Sequence, residues 1–296
     1  TMINIYILLN DSKSILELFH IMENNNINIT NEHYVGLMLA YSTGNETEKI
    51  LKLLSQLEQC SIVTNDKNDD KNDDIDSESD RDFKDLKRRK IQMITKHYDV
   101  AITSCSRSNE WVKALEVFDM LLANPNLDKP SILTFTCLID ACANVGQWQK
   151  ATNVLFIMQG YGYEPILESY NTCIKACAKS IEFVTMFKIL ELMDKRNMKP
   201  DLVTLNTVLH GFQNAGYSND AIDFMNDIMI DKFNIKPDVI SYSTIISACD
   251  KSGQYIDAIE IFEQMLSNNM NPNLYTWNAV ISACKTKGKY FLAKKY

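Results

Sequence analysis

Metal binding and nucleophilic attack are the first chemistries to test in this chain, because it carries eight cysteines and four histidines. The histidines, His20, His33, His97 and His210, are scattered and form no His-Glu-x-x-His pair. Cys137 with Cys142, and Cys173 with Cys177, are spaced like thiolate ligand pairs, but no second pair at zinc-like spacing accompanies them. No glycine-rich phosphate loop or nucleophile elbow is present. The expectation is a non-catalytic chain without metal or cofactor. Hydrogen-bonding chemistry is better represented. Asp99, Thr136, Asn171, Asn206, Ser243 and Asn278 recur at intervals of 37, 35, 35, 37 and 35 residues. Ser, Thr and Asn both donate and accept, while Asp accepts only. Set on one face, they form a polar ladder.

The elements that must carry this ladder are legible from proline. Pro130, Pro165, Pro200, Pro237 and Pro272 are separated by 35, 35, 37 and 35 residues. Such a period signals a repeat architecture. The repeats are 95–131, 132–166, 167–201, 202–238 and 239–273, with a partial unit at 274–296. Other columns fall into register. Small residues recur at Ser104, Ala141, Ala176, Gly211, Ala248 and Ala283, and large apolar ones at Phe118, Leu155, Leu190, Met225 and Phe262. Within 239–273 a first helix is predicted on Tyr242, Ile246 and Cys249. A second is predicted on Ala258, Ile261, Phe262 and Met265, with Gly253 between them. Gly146, Gly216 and Gly288 match Gly253 and suit a helix end that needs positive φ. Two short helices bury too little alone, so the units must stack into an all-α solenoid.

The cysteines then have a structural role. Cys105, Cys142, Cys177, Cys249 and Cys284 share one column, with Phe212 in the remaining repeat. A position that accepts Cys or Phe is a buried apolar one. Residues 1–60 read as degenerate copies, with Ile15, Phe19 and Met22 in one second helix, then Tyr34, Met38, Ile50, Leu54 and Leu57. Residues 61–90 read as an acidic, disordered insert. Its stretch 61–85 holds ten acids and four bases, so it supplies −6 of the net −8. The tandem repeats occupy 91–296 and are near neutral. Lys87, Arg88, Arg89 and Lys90 follow the acids, as a phosphate contact, a localisation signal or the start of a solvated helix. No run of about 18 apolar residues exists, so no membrane span is expected.

Specific phrases identify the repeat class. Asp201 to Leu209 (DLVTLNTVL) and Asp238 to Ile246 (DVISYSTII) resemble the first helix of pentatricopeptide repeats. Asp257 to Met265 (DAIEIFEQM) resembles their second helix, and Lys199-Pro200-Asp201 and Lys236-Pro237-Asp238 their closing turn. The likeness is strong over 95–296 and weak over 1–60. It implies a right-handed superhelical solenoid of stacked helix-turn-helix repeats, in the tetratricopeptide-like superfamily. It also implies single-stranded RNA as partner, with each repeat meeting one base.

In that family the fifth residue of the first helix and the last residue of the closing turn read the base edge. Carried over, the pairs are Asp99/Ser131, Thr136/Ile166, Asn171/Asp201, Asn206/Asp238 and Ser243/Asn273, with Asn278 half of a sixth. Asp201 and Asp238 precede a helix and also suit helix capping. Asn171, Asn206 and Asn278 lie within the first turn, where capping is less natural, and these favour base reading. The family's code assigns uridine to Asn with Asp and adenine to Ser with Asn. This implies a 5′-U-U-A-3′ core for repeats 167–273, preceded by a purine and followed by a pyrimidine. Thr136 with Ile166 departs from the code. Base-wedging is implied for Leu133, Val203, Ile240 and Tyr275, while Lys96 and Glu168 break that column. Arg107, Lys179 and Lys251 share a place implied to touch phosphates, although a cation there also suits the helix dipole. The resemblance implies a role in RNA processing, stability or translation in a mitochondrion or plastid. No targeting segment is visible. A protein-binding scaffold is the competing expectation, since solenoids and acidic inserts also serve protein partners. A third is the RNA-binding arm of a larger processing enzyme.

Overall fold

The fold is that of a computed structural model, which describes residues 11–65, except 26 and 28, and 93–286. Helices joined by turns and irregular loops build the described residues, and no strand occurs among them. The chain divides into two compact units, Thr1–Ala141 and Cys142–Tyr296.

The first unit opens with α1 (Ser12–Asn24), α2 (Asn31–Thr43) and α3 (Thr47–Asn65). Helix α3, anchored by the buried Leu54 and Leu57, runs to residue 65 and so into the first residues of the expected insert at 61–90. The rest of the insert, the basic run at 87–90 and Gly288 lie outside the described residues. Next come α4 (Thr95–Arg107), α5 (Trp111–Ala123) and α6 (Ile132–Asn144), whose last residues enter the second unit. First helices α2 and α4 pack together through Leu37, Met38, Ala101 and Ile102, all buried.

The second unit holds α7 (Trp148–Gly160), α8 (Leu167–Lys179), α9 (Phe183–Lys195) and α10 (Leu202–Ala215). It continues with α11 (Ser218–Asp223), α12 (Val239–Ser252), α13 (Tyr255–Ser267) and α14 (Leu274–Thr286). First helices stack on first helices, α8 on α10, α10 on α12 and α12 on α14. Small residues permit the approach. A Cβ on Gly211 would stand 3.3 Å from both Cα and Cβ of Ala178 on the neighbouring first helix. The Cys105, Cys142, Cys177, Cys249 and Cys284 column is buried, as are Ala258, Ile261, Phe262 and Met265. Burial pushes the thiols of Cys105 and Cys142 up to about 11, and those of Cys177 and Cys249 up to about 12. These thiols remain protonated at neutral pH, the inert state of a packing residue.

Repeat 202–238 takes up its extra length in two places. Helix α11 continues as a π-helix over Phe224–Lys232. The buried second-helix residues are Ala221, Phe224, Met225 and Met229, whereas α7 buries Ala151, Val154, Leu155 and Met158. The last step is four residues instead of three, and the wider π turn absorbs the difference. The second extra residue sits in the turn before Pro237. In repeat 95–131 the helix keeps the usual spacing, with Ala114, Val117, Phe118 and Leu121 buried, and both extra residues fall in the turn before Pro130.

A tyrosine clasp joins the two helices of three repeats. Arg196 donates to the Tyr170 hydroxyl at 2.7 Å, and Asn268 donates to the Tyr242 hydroxyl at 2.8 Å. Tyr98 pairs with Asn124 in the same manner, and each pair is 26 residues apart.

The first helices end on a left-handed residue. Gly146, Gly216 and Gly253 have φ of 76°, 74° and 72°. Asn45 and Asn109 fill the place with φ of 57° and 58°, but Ile181 fills it with φ of 57°. A β-branched residue is strained there, while Asn tolerates the conformation through its short polar side chain. Ile181 is exposed, so little packing is lost on replacement. Ile181→Asn is expected to stabilise the protein by about 1 kcal/mol, read as a higher urea midpoint. An unchanged or lower midpoint would contradict the strain.

Candidate nucleic-acid interface

The ladder residues sit at the starts of the first helices, and in the second unit the structure brings two of the expected pairs into contact. Asn171 Nδ2 lies 3.5 Å from Asp201 Oδ1, and Asn206 Nδ2 lies 3.1 Å from Asp238 Oδ1. Each Asp also caps the helix that follows. Asp201 accepts the Thr204 backbone N–H at 2.8 Å, and Asp238 accepts that of Ser241 at 2.8 Å. Capping and pairing are therefore simultaneous, not alternatives.

A third residue completes each cluster. The Thr204 hydroxyl reaches Asn171 Oδ1 at 2.5 Å and Asp201 Oδ1 at 2.7 Å. The Ser241 hydroxyl reaches Asn206 Oδ1 at 2.6 Å and Asp238 Oδ1 at 2.9 Å. Sequence reasoning missed this member, although Thr134, Ser169, Thr204, Ser241 and Thr276 each follow a repeat proline by four residues. Every one of these bonds that reaches the Asp ends on its Oδ1. Among the described residues none ends on Oδ2 of Asp201 or Asp238, and each Asn amide keeps a second N–H. Each cluster thus presents one acceptor beside one donor. Burial alone would raise the Asp201 carboxyl, but bonds from Thr204 and Asn171 outweigh it and hold it below the usual carboxylate value. It stays ionised near neutral pH.

The other expected pairs differ. In the first unit, the Thr134 hydroxyl donates to Asp99, and Ser131 Oγ lies 3.0 Å from Thr134 Oγ1. Burial raises the Asp99 carboxyl despite the hydroxyls of Thr134 and Ser131. Thr136 turns its hydroxyl back to the Leu133 carbonyl at 2.9 Å. Ile166 stands exposed at the start of α8 and offers no side-chain cap. Ser243 donates to the Val239 carbonyl at 2.5 Å. Asn273 instead caps α14, accepting from Thr276 N and Oγ1 at 2.9 Å each. Asn278 is exposed.

Leu133, Val203, Ile240 and Tyr275 keep between 51% and 62% of their surface in water, far more than packing residues of that size. Glu168 and Lys96, in the same column, are also exposed. A cleft of about 480 Å³ in the second unit is lined by Ile166, Glu168, Asn171, Lys175, Asp201 and Val203, among others. It joins a polar cluster to an exposed apolar shoulder. Arg107, Lys179 and Lys251 are exposed. Lys179 donates to the Asn144 carbonyl at 2.8 Å, so one of the three does serve a helix C-terminus. Lys175, absent from the sequence-based set, reaches Asn144 Oδ1 at 3.1 Å. Among the described residues, no group of three or more His, Cys, Asp or Glu could hold a metal ion. No described helix is long and apolar enough to cross a membrane.

Comparison with known proteins agrees with this architecture. A sequence model described as the pentacotripeptide-repeat region of PRORP matches residues 85–238, more than half of the chain, and one for the PPR repeat family matches 237–286. The chain belongs to the pentatricopeptide repeat family. A chloroplastic pentatricopeptide repeat-containing protein of Arabidopsis thaliana is 28% identical over 120 residues, 40% of this chain and 23% of the relative. A second chloroplastic one from the same plant is 27% identical, over 41% of this chain and 32% of the relative. The chain thus spans about a quarter to a third of the length of these relatives. Among solved structures, the pentatricopeptide domain of Arabidopsis thaliana protein-only RNase P 1, in complex with tRNA, is 17% identical. It aligns with 53% of this chain and 82% of its own at a TM-score of 0.44.

Proposed function

We propose that repeats 167–201, 202–238 and 239–273 bind single-stranded RNA along the exposed starts of their first helices, one base per repeat. The observation that carries this is the pair of clusters Asn171/Asp201 and Asn206/Asp238, each with an unused acceptor beside an unused amide N–H. Uracil presents an N–H beside a carbonyl oxygen on the edge exposed in a single strand. The Asp carboxylate accepts from the former, and the Asn amide donates to the latter. Guanine offers the same order but adds an amine that would need a further acceptor. Val203 and Ile240 supply apolar surface against the base faces. Lys179 and Lys251 supply phosphate contacts, so binding weakens modestly with salt. The biological role is post-transcriptional RNA processing, stability or translation in an organelle, in keeping with the chloroplastic relatives.

The test is fluorescence anisotropy with single-stranded RNA pools, one carrying purine-U-U-A-pyrimidine and one scrambled. The wild type should prefer the first pool. Asn206→Ala should bind it about tenfold more weakly, the equivalent of one or two hydrogen bonds. Equal affinity for both pools would remove base reading. No binding to either at low salt would favour a protein-binding scaffold instead.

A further inference from the structure

Tyr275 is held differently from Val203 and Ile240, which share its column. Its hydroxyl accepts from Gln213 Nε2 at 2.6 Å and donates to Ser247 Oγ at 3.0 Å. Gln213 belongs to α10 and Ser247 to α12, so a side chain rooted on α14 ties three successive first helices. Gln213 is itself fixed. It is 6% exposed, it donates to Ser247 at 2.7 Å, and its Oε1 lies 2.7 Å from His210 Nδ1. The bonds form a consistent circuit. The imidazole N–H enters the amide oxygen, the two amide N–H groups enter the hydroxyls of Ser247 and Tyr275, and the Tyr275 proton enters Ser247.

The two ends of the Tyr275 side chain define its course. It begins beside Thr276, whose counterparts Thr204 and Ser241 touch the fifth residue of the preceding first helix, Asn171 and Asn206. It ends at Ser247, about one helical turn beyond Ser243 on α12. Ser243 therefore lies beneath the path. Its burial agrees: Ser243 is 4% exposed and Thr244 7%, whereas Asn171 and Asn206 are only half-buried.

We propose that Tyr275 is a latched flap over the base-reading place of repeat 239–273, and that a base is admitted there only when the ring leaves Gln213 and Ser247. The proposal rests on the RNA reading of the preceding section. Latched, the ring covers Ser243. Released, it offers an aromatic face on which the admitted base stacks. The places read by Asn171/Asp201 and Asn206/Asp238 need no such opening, so the third base binds at the expense of two hydrogen bonds that the first two do not break.

Tyr275→Phe keeps the ring and removes the latch. Anisotropy would compare two fluorescent RNAs, purine-U-U-A-pyrimidine and the same strand with an abasic unit in place of A. The variant is expected to bind the A-containing strand roughly tenfold more tightly than the wild type, a gain that exceeds any change on the abasic strand. Gln213→Met, which unlatches the other end, should give a similar gain, and the double variant no more than either alone. Equal or weaker binding of the A-containing strand by Tyr275→Phe overturns the flap, because the tether would then be holding a stacking platform in place. A wild type that binds neither strand removes the RNA reading itself, and the flap with it.

Discussion

Asn206→Ser combined with Asp238→Asn is expected to move the preference at the second position of the core from uracil to adenine. The reason lies in which atoms the cluster leaves unused. Asp238 spends Oδ1 on the cap of α12 and on Asn206, and keeps Oδ2 as an acceptor. In the substituted residue the remaining atom is an amide nitrogen, so the acceptor becomes a donor. Adenine presents a ring nitrogen that accepts beside an amine that donates, the reverse of uracil. The hydroxyl introduced at 206 can accept from that amine. Asn caps a helix about as well as Asp, so the fold loses little. A matched two-bond contact discriminates by about 1–3 kcal/mol, so affinity for the U-A-A strand should overtake that for U-U-A by roughly ten- to a hundredfold. Anisotropy with the two strands measures it. A variant that still prefers U-U-A would show that these atoms do not read the base.

Acid should soften the first unit through His97. This residue occupies the place of Thr134, Thr204 and Ser241 at the start of a first helix, and it is fully buried. Nδ1 accepts the Ile94 N–H at 3.3 Å. Burial pushes the imidazole down from 6.5 to about 4, opposed only by the Asn31 backbone. The sign follows from proton uptake. Above pH 6.5 the ring is neutral in both folded and unfolded chains, and its contribution is fully present. As pH falls towards 4, the unfolded chain takes a proton that the folded one refuses, and stability is lost. The loss is about 2 kcal/mol at pH 5. His33 shifts in the same direction, also by burial, and adds to the trend. Trp111 is the only tryptophan of the first unit, so its fluorescence in a Trp148→Phe, Trp277→Phe background follows that unit during urea unfolding. The midpoint should fall between pH 7 and pH 5, and His97→Thr should remove most of the fall. A midpoint indifferent to both pH and substitution would show that the ring titrates normally.

Periodicity carried most of the fold. The i, i+3, i+4, i+7 pattern on Ala258, Ile261, Phe262 and Met265 is the buried face of the helix Tyr255–Ser267, because turns and amphipathic faces are local properties. Pairing came from the family resemblance and not from periodicity. Asn206 and Asp238 are 32 residues apart, and only the stacking of α10 on α12 brings their side chains to 3.1 Å. The hydroxyl of Ser241 could have been found from its interval after proline, but its target lies in the previous repeat. Two features had no local sign. Ile181 adopts a left-handed conformation at the place where other repeats carry Gly or Asn, against its own preference. Tyr275 looks like any other member of an apolar column until Gln213, 62 residues earlier, is seen to hold its hydroxyl.

The π-helical stretch at Phe224–Lys232 bears on how such a chain can evolve. An added residue there bulges within the second helix and never reaches the first-helix layer. Asn206 and Ser243 are 37 residues apart in the chain, yet α10 and α12 pack as directly as α8 and α10, which are separated by the ordinary 35. Length is thus free to drift on one side of each unit while the pitch of the ladder stays constant. Insertions between Phe224 and Lys236 are the mutations such a lineage would tolerate, and insertions between Asp201 and Leu209 the ones it would purge.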